Sequence, residues 1–208
     1  LNNYSFYHIV HLYKILILNN KIHFMKSLLA SSFLIAALFF GSSVNAQKFS
    51  ELDKSPLDIA MYRGQDKAPR VRVIYSRPQK KGRDVFAKKD GLEKYGDVWR
   101  TGANESTEIK FYKDMMVGDT KVPAGTYTLF TIPNEDEWTV ILNKDLDTWG
   151  AYGYKEERDL VRFTTPSHKT AAPIESFSIS FQPTENGSDM FLGWDDMYIQ
   201  VPIEEVEM

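Results

Sequence analysis

Ser176-Phe177-Ser178-Ile179-Ser180-Phe181 alternates without a break. Phe177, Ile179 and Phe181 point one way, and the three serines point the other. Period-two alternation marks a strand with one buried face. The same rhythm recurs outward from this stretch. Val71, Val73 and Tyr75 alternate with Arg72, Ile74 and Ser76. Ile109 and Phe111 alternate with Glu108 and Lys110, and Trp138, Val140 and Leu142 with Thr139, Ile141 and Asn143. Tyr127 to Ile132 is apolar on much of both faces. Met190–Trp194 and Tyr198–Ile203 complete the set. Turn residues separate the runs: Gly118-Asp119, Pro123-Ala124-Gly125, Asn134–Glu137, Asn186-Gly187 and Asp195-Asp196. No long amphipathic helix appears, and the best helical candidate is a turn or two near Lys155–Asp159. Regular short strands without interleaved helices predict an all-β fold, a single-domain antiparallel β-sandwich of jelly-roll type.

The chain carries four expected segments. Met25-Lys26, the apolar run Leu28–Phe40 and Val44-Asn45-Ala46 before Gln47 read as a secretory signal peptide over residues 25–46. The run is short for a membrane span. Met25 then reads as the start, and residues 1–24 as upstream sequence. Residues 47–68 read as an N-terminal arm and 69–208 as the sandwich domain. The expected location is periplasmic or secreted, with no membrane span in the mature protein.

Removing 46 of the 208 residues leaves 162, enough for a proper core. Removing three lysines from 25 basic residues leaves 22 against 28 acidic, a net charge of −6. That balance argues against nucleic acid, which needs clustered Lys and Arg. The chain has no cysteine, which excludes disulfides, thiolate nucleophiles, Cys-based zinc and a lipid anchor at a mature N-terminal Cys. His168 is the single histidine after residue 46, and it reads as an exposed loop residue. No metal site and no cofactor are expected. The acidic runs at Asn134–Glu137, Asp145–Asp147 and Asp195-Asp196 lack the spacing of a calcium loop.

The densest chemistry lies in Tyr95-Gly96-Asp97-Val98-Trp99-Arg100-Thr101-Gly102-Ala103-Asn104-Glu105. Trp99 offers a flat apolar face. Arg100, Asn104 and Glu105 offer planar hydrogen-bonding groups, a combination suited to a sugar-like ligand. The competing reading has Trp99 plugging the sandwich with Arg100 and Glu105 paired over it. Arg77 and Arg83 could grip an anion, or simply end a basic strand. Trp149 and Tyr152, flanking Gly150, suit a binding lip or a pinned loop. Glu105 and Glu108, three positions apart in an extended chain, should fall on opposite faces, which counts against an acid–base pair.

Several of these segments, taken in order, resemble one family. They are Tyr75-Ser76-Arg77-Pro78 with Lys81-Gly82-Arg83, the Tyr95–Glu105 stretch, Pro123–Pro133, Glu137–Ile141 and Trp149-Gly150-Ala151-Tyr152. The resemblance is to domain of unknown function 2911 and runs from about Pro69 to Ile203. It implies an exported protein of Bacteroidetes-type bacteria and supplies no catalytic residue. One departure is Asp84-Val85-Phe86-Ala87, where the family has Ile-Phe-Gly. The functional expectation is a non-catalytic periplasmic binding module for a carbohydrate or other polar, including anionic, envelope ligand. Its site would use Trp99, Arg100, Asn104 and Glu105, with Arg77, Arg83, Trp149 and Tyr152 as a rim. The alternatives are a glycan hydrolase using Glu105 and a structural or protein-interaction domain of the envelope.

Overall fold

A computed structural model describes residues 11, 13–14, 16–26 and 47–206. The chain divides into two compact units, Leu1–Ser50 and Glu51–Met208. In the first, residues 16–26 are helical. The expected signal peptide at 25–46 lies outside the described residues apart from 25 and 26. Among the described residues, no helix is long and apolar enough to cross a membrane.

The second unit is built from β1 (Leu57–Arg63), β2 (Pro69–Ser76), β3 (Phe86–Ala87), β4 (Glu93–Lys94), β5 (Thr107–Phe111) and β6 (Met115–Val117). It continues through β7 (Thr120–Val122), β8 (Gly125–Ile132), β9 (Glu137–Asn143), β10 (Asp159–Pro183) and β11 (Gly187–Glu205). A 3-10 turn at Glu156–Arg158 fills the place where the sequence suggested a helical turn. β3 and β4 form a small parallel pair. The other nine strands make one sheet in the order β1-β2-β5-β8-β9-β10-β11-β6-β7, with antiparallel neighbours throughout.

This sheet folds over itself into the expected antiparallel sandwich. β10 pairs with β9 through Asp159–Pro166, and with β11 from Ser167 onward. Register breaks between Lys169 and Ile174, and between Ile174 and Ser178, mark the bend. Bulges bend and twist a strand in this way, letting it serve two layers. The β6–β7 hairpin joins β11, and the chain then returns to β8 beside β5, a jelly-roll-like crossing. Met190–Trp194 and Tyr198–Ile203 are parts of one strand. The expected turn at Asp195-Asp196 is a kink with Asp195 at φ 56°, its carboxylate bonded to Lys80.

β1 revises the reading of residues 47–68 as an arm. It is an edge strand, with Leu57 paired to Ser76 and Ile59 to Ile74. Tyr62 turns into the core while Leu57, Ile59 and Met61 face out. Apolar residues on both parities hide the period-two signal there.

The core fills from the alternating positions read in the sequence, including Val71, Val73, Ile109, Leu129, Val140, Leu142, Phe177 and Ile179. At its centre Trp99 stacks on Trp194 at 5.8 Å and meets Phe177, Phe86 and Trp138 edge-on at 4.9, 5.7 and 6.1 Å. Edge-to-face and offset arrangements satisfy the ring quadrupoles. A second apolar layer lies on the other face of β8 and β9. Phe130 and Ile141 are buried there, with the Tyr154 ring 5.3 Å from Phe130. Asn143 Nδ2 donates to Lys155 O at 2.9 Å and pins the segment carrying Tyr154. This second layer explains why Tyr127–Ile132 is apolar on both faces.

Candidate functional site

The Trp99–Ser106 segment splits at Asn104 into a buried plug and an open lip. Trp99 exchanges backbone hydrogen bonds with Thr131 at 2.7 and 3.0 Å, and its indole N–H donates to Gly102 O at 3.0 Å. Thr101 takes φ 55°, rare for a β-branched residue. Thr107 Oγ1 donates to Thr101 O at 2.6 Å, and the Thr101 and Thr131 hydroxyls meet at 3.1 Å. A side chain on Gly102 would come within 3.0 Å of Ser76 O and Thr107 Oγ1. Trp99 is only 2% exposed, so it plugs the sandwich and presents no face to a ligand.

The arginines turn to structural partners. Arg77 donates to Phe177 O at 3.0 Å and Ser178 Oγ at 2.7 Å, and pairs with Asp58 at 3.0 Å, tying β1 and β2 to β10. Arg83 donates to Lys80 O at 3.0 Å and Gln79 O at 2.7 Å, closing its own loop. Arg100 does not pair with Glu105. Its charge acts on Glu93, and its Nε is buried without a partner. Burial pushes the Glu93 carboxyl up to about 7, with Arg100 pulling it back only partly.

Four of the eight expected residues do converge. Asn104, at φ 59°, turns the chain toward solvent, and its Nδ2 donates to Asp53 Oδ1 at 3.0 Å. Ser106 N bonds Thr148 O at 2.9 Å and Gly150 N bonds Asn104 O at 3.1 Å. These bonds zip the segment to the Thr148–Gly150 loop, with Glu105 directly opposite Trp149. Direct cross-strand partners share a face. The Ser106 hydroxyl bonds Gly150 O, and Thr148 Oγ1 bonds Ser106 Oγ at 2.9 Å. Trp149 is 61% exposed and Tyr152 89% exposed. Gly150 has φ 65°, and an added Cβ would lie 2.8 Å from the Tyr152 ring, so the loop needs glycine there.

Beside this lip lies a pocket of about 180 Å³. Leu57 and Ile74 give it an apolar wall, while the Tyr75 side chain turns to the other face of β2 and packs on Phe177 in the core. Glu105, Glu108 and Asp147 give it three carboxylates, with the hydroxyl residues Ser76, Ser106 and Thr148 between them. Glu105 and Glu108 thus line one pocket, against the expectation of opposite faces. Alternation fails because Glu105 precedes β5 and bridges to Trp149 instead of continuing that strand. The sequence names Asp147 only within an acidic run and Ser76 only beside Arg77; strand pairing and loop packing bring both to this place.

A larger groove of about 920 Å³ opens at the other end of β1 and β2, near Arg70 and Glu205. Its charges neutralise one another. Arg70 binds Glu205 at 2.6 Å and Asp66 at 3.0 Å, and Lys113 binds Glu205 at 2.7 Å. The hydrogen bond from Lys113 holds the Glu205 carboxyl below its usual range. His168 is exposed within β10, its ring 5.1 Å from that of Tyr198. Among the described residues, no three acidic, histidine or cysteine groups come together to hold a metal ion.

A family model described as protein of unknown function (DUF2911) matches residues 55–203. No curated protein and no solved structure matches the chain.

Proposed function

The chain belongs to the DUF2911 family, and we propose that its domain is a non-catalytic binding module for a glycan or similar polyhydroxylated ligand of the cell envelope. The site is the lip of Trp149, Tyr152, Asn104 and Glu105 with the pocket beside it. The observation that carries this reading is the exposure of two aromatic rings on a loop held by backbone bonds. An exposed aromatic on a fixed loop is a platform for the C–H face of a sugar ring. Loops on a rigid sheet are where binding groups usually sit. The apolar run and small-residue site within residues 25–46 support export to the periplasm or beyond.

Cleavage of a glycan is the second reading, because Glu105 and Glu108 supply the two carboxylates that glycosidic hydrolysis uses. Against it, neither side chain has a hydrogen-bonding partner among the described residues to fix its orientation. A catalytic pair needs such fixing.

Trp149→Ala and Tyr152→Ala test the binding reading on a panel of soluble oligosaccharides. Each is expected to weaken binding by about tenfold or more, the loss of one stacking contact. Both should leave stability within about 0.5 kcal/mol, as exposed positions do. Unchanged affinity in both variants would remove the lip as the site. Product release from any glycan, lost in Glu105→Gln, would establish the hydrolase instead.

A further inference from the structure

We infer that the pocket beside Trp149 takes a ligand bearing a protonated amine among hydroxyls, an amino sugar in its free-amine form; this rests on the binding reading above. The first observation is charge. Glu105, Glu108 and Asp147 line the pocket, and no basic residue does. Among the described residues, none of the three carboxylates has an ion-pair partner. Lys110, two positions beyond Glu108 on the same face of β5, instead sits 5.0 Å over the Tyr112 ring. An unneutralised acidic wall attracts cations and repels anions. The carboxylates do not close on one point as a metal ion requires. Their spread suits an organic cation that presents hydrogen-bond donors in several directions.

The second observation is independent of charge. Ser76 is 3% exposed and lines the pocket. Its hydroxyl has no hydrogen-bond partner among the described residues, whereas the Ser106 and Thr148 hydroxyls are both engaged. The sealed, unpaired side-chain polar atoms among the described residues are Arg72 Nε, Arg100 Nε and Trp138 Nε1, so the Ser76 oxygen opens to the pocket, where a ligand's polar group can reach it. Size and shape narrow the class. A volume of about 180 Å³ is about six water molecules' share of liquid, room for a single ring. Leu57 opposes Ser76 and Ile74 opposes Glu108 in the sheet, so apolar and polar groups alternate on one wall. A sugar ring, with C–H faces and polar edges, matches that alternation.

The test is calorimetric titration of the full chain at pH 6 with four probes: the tetramers of glucosamine, N-acetylglucosamine and glucose, and tetralysine. The glucosamine tetramer is expected to bind about tenfold tighter than its N-acetylated form, the difference between a charge-assisted and a neutral contact. Glu108→Gln and Asp147→Asn should each reduce that preference about fivefold. Asp147 is on an exposed loop, so its variant keeps the test valid if Glu108→Gln fails to fold. Equal affinity for the three sugars would overturn this inference and leave the binding reading standing. Tighter binding of tetralysine than of glucosamine would replace the sugar with a basic peptide. No binding of any sugar would overturn both readings.

Discussion

Trp99→Ala is expected to lower the free energy of unfolding by about 3–5 kcal/mol, the range for deleting a large buried aromatic. The indole touches four other aromatic rings, and its N–H closes the turn at Gly102. Removal opens a cavity where the two layers meet and frees the strained Thr101 backbone. Native domains have only about 5–15 kcal/mol in hand, so the variant should unfold well below the wild-type temperature. Urea unfolding followed by circular dichroism measures the loss. A change under about 1 kcal/mol is typical of surface positions and would mean that Trp99 is not the plug.

Glu93 should make the protein less stable as pH rises from about 4.5 to about 7. Its carboxyl is ordinary in the unfolded chain and pushed up to about 7 in the fold, chiefly by burial. The folded state therefore holds the proton more tightly. The resulting stabilisation is fully present below about 4.5, falls through this window, and is absent above it. The size is about 2–3 kcal/mol, less than the whole shift implies because part of the side chain still meets water. Glu93→Gln removes the proton site. The variant should match wild type at pH 4 and exceed it by about 2 kcal/mol at pH 8. Unfolding curves for both proteins across that range isolate Glu93 from the exposed carboxylates. A constant difference between them would show that Glu93 ionises as if in water.

Much of the fold is legible because a half-buried strand imposes alternation on its residues. Phe177, Ile179, Trp138, Val140 and Leu142 are all core, as their spacing requires. The failures have physical causes. Leu57–Arg63 carries apolar side chains on its exposed face as well as its buried one, so no alternation reveals the edge strand. The Asp195 kink uses turn residues without turning the chain, because a neighbouring strand continues the pairing on both sides. The candidate site was half legible. Trp99, Arg100, Asn104 and Glu105 are contiguous and chemically alike to binding residues. The left-handed backbone at Thr101 and Asn104 sends the first two inward and the last two outward. Trp149 and Tyr152, which the sequence offered as a lip or as a pinned loop, are exposed. Their neighbours Glu108, Asp147 and Ser76 come from three separate segments, and no local pattern unites them.

The binding claim is tested most directly by the protein's own fluorescence. Of the four tryptophans, Trp99, Trp138 and Trp194 are buried, and Trp149 alone is open to solvent. Iodide should therefore quench a single class of tryptophan in the free protein, and that class should vanish in Trp149→Phe. Saturation with the glucosamine tetramer should shield it, so that quenching of the wild type falls to the level of the variant. A ligand that binds by calorimetry yet leaves iodide quenching unchanged would contradict the assignment of the site to the Trp149 lip.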